Sequence, residues 1–364
     1  MLSYLLPNQV VYCVCSGSYH QSIRLLVDLT MYSVCHLTGT VHTIYGIFSN
    51  VEPIILAIMS SQSFNRLRYV EQYGMMNIVD SSPSYSRFDH SVGVWALLRR
   101  YGAPIIEQVA GILHDVSHTV FSHLGDLLFA DPDYQDNIHT WYIQNTELAE
   151  LLARHRITAH TISPKNNGFL MLETELPDLC ADRIDYIIQG GLRCGLLSTD
   201  FVNHFLDSLT FTQGKWVVLD VNYAKNFGIA SLKMTTSIWG TLRNCVISDH
   251  MCNAMNRALE IGLISLDDVH FSIDRRIWNI LKESDDIDIM ALMTRVFTTT
   301  VDYHIARPEE QPHNVFDIKF RGVNPWVLTQ SGLVQLCELD PDYANEYQLT
   351  KTHTGLGWHV CYNI

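Results

Sequence analysis

The sequence predicts a mainly α-helical protein with a helical core, a small β-hairpin arm and a mixed α/β C-terminal region. Three observations support this fold class. Apolar residues recur at helical intervals through most of residues 51–263. Gln213 and Gly214 form a predicted turn before the apolar run WVVL, residues 216–219, as is typical of a hairpin. After residue 264, a helical pattern and strand-like segments follow one another.

The predicted elements follow in order along the chain. Residues 51–73 form the first helix, with Pro53 near its start, where proline is tolerated. After a turn-rich segment at 80–86, helical patterns cover 88–100, 104–114, 117–130, 138–155, 171–190 and 198–209. The hairpin covers 211–220, and a long helical zone, 226–263, follows it. In the C-terminal region, 285–297 predicts a helix, whereas 314–322 and 354–364 predict strands.

The chain divides into three predicted parts. Residues 1–40 are an N-terminal extension whose apolar pieces show no clear period, 41–263 are the core, and 264–364 are the mixed C-terminal region. A length of 364 residues suits one large domain with a smaller appendage. Hydrophobic residues make up 47% and charged residues 17%, which provides ample material for a buried core.

Charge and cysteine content restrict the class of protein. The formal net charge is −14, and no basic run is present, so we expect no stable binding to nucleic acid. Nine cysteines without a CxxC pair indicate a reducing, cytoplasmic environment. The first 35 residues lack a basic start and an unbroken apolar run, so we expect neither a signal peptide nor a membrane span.

Ionisable residues cluster in segments that otherwise have the composition of core helices. His90 lies in RFDHSVGV, His114 and Asp115 lie in GILHDVSHTVFSH, and Asp182 lies in LCADRIDYIIQ. Imidazole and carboxylate groups are suitable metal ligands when rigid elements hold them. A buried ionisable group is costly unless it is paired. The alternative for each single histidine is a hydrogen-bonded core residue, but the clustering favours a metal site built from several helices.

The segments RFDHSVGV, AGILHDVSHTVFSH and ADRIDY resemble the HD-domain metal-dependent phosphohydrolases. The closest resemblance is to the branch that contains the deoxynucleoside triphosphate (dNTP) triphosphohydrolases, and FNRLRYVEQYG, residues 64–74, is also similar to that branch. The resemblance covers about residues 40–260. It implies an HD-domain helical bundle for the core and a divalent metal ion (Mn, Fe, Ni, Zn or Mg). The implied metal ligands are His90, His114, Asp115 and Asp182.

The resemblance also implies roles for neighbouring residues. The implied catalytic residues are Asp115 at the metal and His118 and His139 in proton transfer. The implied substrate contacts are Arg87, His123 and Arg183 to phosphate, Gln72 to the sugar and Tyr186 beside the sugar. We expect Asp185 to support the metal ligands by hydrogen bonding. The alternatives are structural: Arg87 caps a helix, Tyr186 lies in the core, and His123 bonds a backbone carbonyl. His118 is four residues after His114, so we expect the two side chains to lie on the same helix face.

Several positions depart from the pattern of the triphosphohydrolase branch. Gly190 stands where that branch has an acidic residue that bonds the sugar 3′-hydroxyl. Thr241 and Arg243 stand where it has Tyr and His, and Arg243 could still hold a phosphate. Thr140 follows His139 where an acidic residue is usual. These departures lie in the implied substrate pocket and leave the metal ligands intact.

Three functions follow as hypotheses. The first is a metal-dependent phosphohydrolase that converts a dNTP and water to deoxynucleoside and triphosphate. The second is an HD-type phosphodiesterase or phosphatase acting on another nucleotide, with His118, His123 and His139 helping to hold a second metal. The third is a non-hydrolytic, metal-containing nucleotide-binding module. The resemblance further implies a nucleotide as the partner molecule and a homo-oligomer.

Overall fold

A computed structural model describes residues 33–35, 39–165, 168–298 and 303–363. The predicted N-terminal extension lies largely outside these residues. The prediction of a mainly α-helical protein with a few small sheets is confirmed. Within the described ranges the helices are α1 (Pro53–Ser60), α2 (Gln62–Arg66), α3 (Met76–Asp80), α4 (Arg87–Arg100), α5 (Ile105–Leu113), α6 (Leu124–Leu128), α7 (Tyr134–Gln144), α8 (Leu148–Arg154), α9 (Ala181–Arg193), α10 (Thr199–Asp207), α11 (Val221–Met234), α12 (Leu242–Glu260), α13 (Leu266–Phe271), α14 (Asp274–Lys282), α15 (Ile287–Phe297), α16 (Leu336–Leu339) and α17 (Pro341–Thr354).

The strands form three small sheets. Their bounds are β1 (Ser33–Cys35), β2 (Thr40–Thr43), β3 (Gly46–Phe48), β4 (Leu209–Thr212), β5 (Lys215–Val218), β6 (Tyr303–Ile305), β7 (Asn314–Phe316), β8 (Trp326–Thr329), β9 (Gly332–Gln335) and β10 (Trp358–Tyr362). The orders are β1-β2-β3, β6-β10-β7 and β4-β5-β8-β9. The predicted hairpin is present as β4–β5, and β8 extends its sheet by pairing parallel to β5.

Helices α4, α5 and α9 form the centre of the fold, because α4 packs against both of the others. Helix α4 is buried along most of its length, including Trp95 and Phe88. It begins with a capping box: the Ser86 hydroxyl accepts from the Asp89 N–H at 3.1 Å, and the Asp89 carboxylate accepts from the Ser86 N–H at 3.4 Å. The cap fixes the start of α4 and so places His90 in its first turn.

A glycine allows the close approach of α4 and α9. A Cβ atom on Gly93 would lie 1.9 Å from Oδ1 and 2.7 Å from Cγ of Asp185, which is fully buried in the first turns of α9. Asp185 accepts hydrogen bonds from Tyr45 and His90, so it cannot move aside without breaking them. The space at Gly93 is therefore what lets Asp185 reach His90.

The predicted helix at 117–130 is wrong over most of its length. Helix α5 ends at Leu113, only 124–128 is helical, and Phe121 and Ser122 have positive φ. Buried Arg66 donates to the carbonyl oxygens of Val116 at 3.2 Å and His118 at 2.6 Å, in place of helical N–H donors. The backbone groups are therefore satisfied by side chains from elsewhere, and His114 and His118 do not share a helix face.

Other predicted helices are shorter or interrupted. The predicted helix 171–190 starts only at Ala181, because the Glu107 carboxylate accepts from the N–H groups of Met171 and Leu172 and holds that backbone outside a helix. The helix 51–73 breaks at Ser61, which is extended and caps α2. The segment 138–155 divides into α7 and α8, and 226–263 divides at a π-helical turn, Thr235–Trp239, into α11 and α12. The predicted helices 88–100, 104–114 and 198–209 correspond to α4, α5 and α10.

The C-terminal region packs extensively on the core. Val323, Val327, Leu336 and Tyr343 belong to the same buried apolar cluster as Trp95. Asp274, at the start of α14, accepts from the N–H groups of Glu71 at 2.9 Å and Phe121 at 2.7 Å. The division of the chain at 263/264 stays a prediction, but residues on both sides of it share one interior.

We expect Gly93→Ala to destabilise the protein. The added methyl group overlaps Asp185, and overpacking of this kind costs about 1–3 kcal/mol, which exceeds the gain of up to about 1 kcal/mol from replacing a helical glycine. Urea unfolding followed by circular dichroism gives the free energy of unfolding. Gln348→Ala, on the exposed face of α17, is the control and should change it by less than about 0.5 kcal/mol. A more stable Gly93→Ala variant would contradict the close contact.

We expect Asp274 to make stability depend on pH. Burial, reinforced by the Glu71 carboxylate and opposed by the backbone N–H donors, raises the pKa of Asp274 to about 7. Because the folded-state pKa is raised, the protonated carboxyl stabilises the fold at low pH, and this contribution is lost as the pH rises through about 7. Between pH 5 and pH 7 the free energy of unfolding of the wild type should fall by about 2 kcal/mol relative to that of Asp274→Asn. Parallel stability curves for the two proteins would show that Asp274 ionises normally.

Candidate metal centre

His90 is held by a carboxylate on the neighbouring helix. Its Nδ1 lies 2.7 Å from Oδ2 of Asp185, whose Oδ1 accepts from the Tyr45 hydroxyl at 2.6 Å. All three side chains are buried. Asp185 therefore holds a proton on Nδ1 of His90, so loss of the second ring proton on metal binding would expose the lone pair of Nε2. This is the supporting position expected for Asp185.

His114 is oriented in the same way by a backbone acceptor. Its Nδ1 lies 2.7 Å from the carbonyl oxygen of Gly111, one turn earlier on α5. Its Nε2 then faces Nε2 of His90 at 3.2 Å. Without a cation, the raised pKa of His90 keeps a proton on its Nε2, which donates to Oδ1 of Asp182 at 2.8 Å. When both imidazoles are neutral with the proton on Nδ1, the two Nε2 atoms are both acceptors and cannot bond each other. A cation between them would satisfy both.

Two carboxylates complete the group of donors. Asp115 lies 3.5 Å from Nε2 of His90 and 3.4 Å from Nε2 of His114. Oδ1 of Asp182 lies 2.8 Å and 3.5 Å from the same two nitrogens. His90, His114 and Asp115 form a buried group that could hold a metal ion. The structure thus brings together all four predicted ligands, and two imidazoles with two carboxylates suit a divalent first-row cation or Mg²⁺.

The electrostatics of this group favour a positive charge. Burial lowers the pKa of His90, but the hydrogen bonds to Asp182 and Asp185 outweigh burial and raise the pKa to about 10. Burial would raise the pKa of Asp115, but the Arg87 guanidinium outweighs it and holds that pKa well below the ordinary value. Both carboxylates next to the imidazoles are therefore ionised at neutral pH, and a bound cation would compensate their charge.

A cavity of about 230 Å³ opens beside the donors. Its lining combines the donors with cationic, acidic and apolar side chains: Gln72, Arg87, His114, Asp115, His118, His123, Asp126, Pro132, Asp133, Gln135, Asp136, Pro164, Leu172, Glu173, Leu176, Asp182, Arg183, Tyr186, Lys319 and Arg321. Most of the predicted substrate contacts are in this lining. The cavity is therefore the candidate substrate site.

Arg87 connects the metal donors with the cavity. Its Nη1 donates to Oδ2 of Asp115 at 2.5 Å, and its Nε donates to the Ser122 hydroxyl at 2.8 Å. Its Nη2 is buried without a hydrogen-bond partner in the described residues. A buried guanidinium donor is costly when unsatisfied, so an anionic group of a ligand is the expected partner.

His118 and His123 lie on the irregular segment that follows α5. Nε2 of His118 is 3.3 Å from Oδ1 of Asp115, and its ring lies 5.1 Å from that of His123. Burial and the nearby Arg87 guanidinium lower the pKa of His118 to about 3, so this imidazole is neutral at pH 7. Nδ1 of His123 is paired with Asp126 at 3.0 Å, and about half of the His123 side chain is exposed.

His139 is buried and is absent from the cavity lining. Its Nε2 lies 2.9 Å from the carbonyl oxygen of Leu113, the last residue of α5. Burial lowers its pKa to about 4, which is offset only in part by the hydrogen bond to Leu113. This contact supports the end of α5, immediately before His114. The predicted role of His139 in proton transfer stays a prediction.

The remaining predicted contacts differ in their surroundings. Gln72 and Tyr186 line the cavity, and Oε1 of Gln72 is buried without a partner in the described residues. Arg183 also lines it, but its guanidinium donates to Glu173 at 2.9 Å and to the carbonyl oxygens of Thr174 and Asp178 at 2.7 Å. Those hydrogen bonds hold the loop before α9 in place, so Arg183 has a structural role in addition to lining the cavity.

Arg243 does not join the other predicted substrate residues. It lies at the start of α12, pairs with Asp80 and is absent from the cavity lining. The Thr241 hydroxyl caps the same helix by accepting from the Asn244 N–H. A π-helical turn, Thr235–Trp239, precedes α12 and departs from the regular helical spacing of this stretch.

Gly190 has no room for the acidic side chain found there in the triphosphohydrolase branch. A Cβ atom on Gly190 would lie 2.1 Å from Cε of Met234 and 2.3 Å from the hydroxyl oxygen of Tyr73. An acidic residue here would have to displace both side chains. The space that the acid occupies in the related pattern is thus filled by other residues of this chain.

Sequence reasoning missed several polar residues in the cavity lining, among them Asp136, Lys319 and Arg321. Asp136 lies on α7, and burial together with the Asp115 carboxylate raises its pKa to about 6. Lys319 and Arg321 come from the C-terminal region. The alternation of apolar and basic residues in IKFR, 318–321, was the available signal, because it places both basic residues on one side of an extended segment.

No helix in the described parts of the chain has the length and apolar character needed to cross a lipid bilayer. The predicted cytoplasmic location and the predicted homo-oligomer stay predictions.

Comparison with known proteins identifies the domain. Residues 87–188 match the family model of the HD domain. The Bacillus subtilis protein YdhJ, which is uncharacterized, is 29% identical over 255 residues, or 70% of this chain and 78% of that protein. The metal-dependent phosphohydrolase cns2 of Cordyceps militaris is 27% identical over 268 residues, or 71% of this chain and 77% of that protein. The predicted HD domain is confirmed.

A shorter sequence match and two crystal structures are also similar to this chain. The bovine deoxynucleoside triphosphate triphosphohydrolase SAMHD1 is 34% identical over 89 residues, or 20% of this chain and 15% of that protein. A hypothetical protein from Aquifex aeolicus has a TM-score of 0.64 and 21% identity, covering 85% of this chain and 97% of its own. A phosphohydrolase from Bacteroides thetaiotaomicron has a TM-score of 0.65 and 15% identity, covering 88% and 98%. The two structures show a shared fold.

We expect Asp185→Asn to weaken metal binding about 10- to 100-fold, because an amide no longer fixes the orientation and basicity of His90. Titration of the metal-free protein with Mn²⁺, followed by calorimetry, measures the affinity. Asp200→Asn, on the exposed start of α10, is the matched control and should bind as the wild type does. Equal affinities in Asp185→Asn and the wild type would show that His90 does not depend on this carboxylate.

Proposed function

We propose that this chain, a metal-dependent phosphohydrolase of the HD superfamily, acts on a nucleotide, and that its reaction converts a dNTP and water to deoxynucleoside and triphosphate. One observation carries the proposal: three of the four metal donors (His114, Asp115 and Asp182) and several cationic side chains line a single cavity. The resemblance to the triphosphohydrolase branch supports the choice of dNTP, as does the short match to the bovine triphosphohydrolase.

The metal site supplies the chemistry of hydrolysis. A divalent cation held by His90, His114, Asp115 and Asp182 would lower the pKa of a bound water and polarise a phosphoryl oxygen. The side chains of the chain then need to position the phosphate and neutralise its charge, since phosphoryl transfer requires little covalent help from protein.

Arg87 is the proposed contact to the phosphoryl group that is attacked. It is fixed by Asp115 and Ser122 on two of its nitrogens, and its third, Nη2, is free of partners in the described residues. The guanidinium is therefore oriented before substrate binds. A phosphate oxygen bound at Nη2 would contact the same guanidinium that donates to the metal donor Asp115.

His123 is the proposed proton donor to the departing sugar oxygen. Its Nδ1 is paired with Asp126 at 3.0 Å, and the half-exposed ring lines the cavity. Burial, together with Arg87 and Arg321, lowers the pKa of His123 and outweighs the Asp126 carboxylate, so a minor protonated fraction would donate the proton at pH 7. Asp126 orients the imidazole and favours that protonated form. His118 is neutral and lies against Asp115, so it is better placed to accept a proton than to donate one.

A second candidate function is supported by two observations. Met234 and Tyr73 fill the space next to Gly190, so this chain lacks the carboxylate that would select for a sugar 3′-hydroxyl. Glu173, Cys180 and Asp182 form another group that could hold a metal ion, with Asp182 common to both. A phosphodiesterase or phosphatase with two metals fits these observations, and measured metal stoichiometry separates it from a one-metal triphosphohydrolase.

The test is hydrolysis of a substrate panel by the purified full chain with added Mn²⁺ or Mg²⁺. The panel contains dNTPs, 2′,3′-dideoxy NTPs, ribonucleotides, a cyclic nucleotide and p-nitrophenyl phosphate esters, with products separated by chromatography. We expect nucleoside plus triphosphate from dNTPs, and a similar KM for dideoxy analogues because Gly190 stands where the related branch has the acid that bonds the 3′-hydroxyl. Asp115→Ala should lower kcat/KM by at least about 10²-fold, since it removes a metal donor.

The control is Asp342→Ala, which removes an exposed carboxylate at the start of α17 and should leave kcat/KM unchanged. Release of inorganic phosphate or cleavage of a diester would replace the triphosphohydrolase proposal by the second candidate function. Metal binding without turnover of any substrate in the panel would contradict both and favour a nucleotide-binding module.

A further inference from the structure

We propose that Lys319 and Arg321 of the C-terminal region bind the phosphate chain of the substrate, so that this region completes the active site. The inference rests on the proposed nucleotide phosphohydrolase function and assigns substrate-binding residues outside the HD domain. Both side chains line the cavity together with Arg87 and Asp115, although more than 130 residues separate them from the matched domain's last residue, 188. Neither lies in the segments that resemble the triphosphohydrolases.

The backbone that carries the two residues is firmly attached to the core. The carbonyl oxygen of Arg321 accepts from the Ser231 hydroxyl at 2.8 Å. The Asn324 N–H donates to the carbonyl oxygen of Pro177 at 2.9 Å. Between them, Val323 is fully buried, and its carbonyl oxygen accepts from the Tyr343 hydroxyl. Contacts from three parts of the chain thus hold this segment in one place beside the cavity.

The alternation of the sequence determines which side chains face the cavity. Ile318 packs so closely against Gly240 that a Cβ there would lie 2.7 Å from its Cγ2. Phe320 packs edge-on against Tyr347 with ring centroids 5.1 Å apart. The intervening residues, Lys319 and Arg321, line the cavity. Packing of Ile318 and Phe320 on the protein therefore directs Lys319 and Arg321 towards the cavity.

The charges of Lys319 and Arg321 are not compensated by carboxylates. Among the described residues neither forms a salt bridge, whereas Arg87 is paired with Asp115 and Arg183 with Glu173. The Arg321 guanidinium lies 5.8 Å from the ring centroids of both Tyr186 and Trp239. Stacking of this kind positions an arginine without using its N–H donors. Carboxylates also line the cavity, but a bound metal ion would compensate the donors Asp115 and Asp182, which leaves Lys319 and Arg321 available to an anionic ligand.

The two residues extend the binding site beyond the attacked phosphoryl group. Arg87 and the metal donors account for one phosphate, and further phosphates require further cations. Lys319 can reach a phosphate as a flexible point charge, whereas Arg321 offers a fixed pair of donors. Their loss should weaken binding of a polyphosphate without removing any metal donor.

The experiment measures binding of inorganic tripolyphosphate to the full-length, metal-loaded protein by calorimetry. We expect Lys319→Ala and Arg321→Ala each to raise its Kd about 10-fold, and the double variant about 100-fold. Arg321→Lys should recover part of the affinity, because the charge remains. Lys282→Ala, an exposed lysine at the end of α14, is the matched control and should bind as the wild type does. Metal content and thermal melting of each variant confirm that it is folded and loaded.

The outcomes separate this inference from the proposed function. If wild type binds tripolyphosphate and hydrolyses nucleoside triphosphates, and both alanine variants retain wild-type affinity and KM, the assignment of Lys319 and Arg321 is overturned and the proposed function stands. If wild type neither binds tripolyphosphate nor hydrolyses a nucleotide, the proposed function fails, and this inference fails with it. A larger KM for nucleoside triphosphates in both variants, with a smaller change in kcat, supports the inference.

Discussion

The hydrogen bond between Asp185 and His90 is the contact on which the arrangement of the centre depends. It joins α4 to α9 inside the protein, and it exists only because Gly93 leaves space for the carboxylate. The same bond fixes the protonation of His90 at Nδ1 and turns Nε2 towards His114 and Asp182. Helix packing, tautomer and donor geometry are thus set together. A change at any one of them alters the other two.

The irregular backbone after α5 has a comparable role for the substrate side of the site. The peptide groups of a buried segment without regular structure need hydrogen-bond partners. Arg66, which precedes the segment in the sequence, and Asp274, which follows it, provide them. This arrangement lets His114, His118 and His123 point in directions that a continuous helix would not allow. Arg87 then links the metal donors to this irregular segment, since its guanidinium contacts both Asp115 and Ser122.

The sequence predicts those features whose causes are local. Ser86 and Asp89 mark the start of α4, the apolar period identifies α5, and Gln213-Gly214 marks the hairpin, so these elements agree with the structure. The helix at 117–130 was wrong because its backbone partner Arg66 is about fifty residues away and leaves no local trace. The metal donors were recognisable from residue type and order. For Lys319 and Arg321 the alternation in IKFR shows two basic residues together, but only tertiary packing brings their segment to the cavity.

The parallel pairing of β5 with β8 has a consequence for how the protein is made. Val217 pairs with Trp326, so more than one hundred residues must be synthesised after the hairpin before its sheet can be completed. During translation at about 5–20 residues per second, the helical core emerges several seconds before the segment that closes the cavity. A nascent chain therefore acquires its metal donors while one wall is still missing. The metal donors are thus synthesised well before the segment that carries Lys319 and Arg321, so metal binding does not have to wait for that part of the cavity lining.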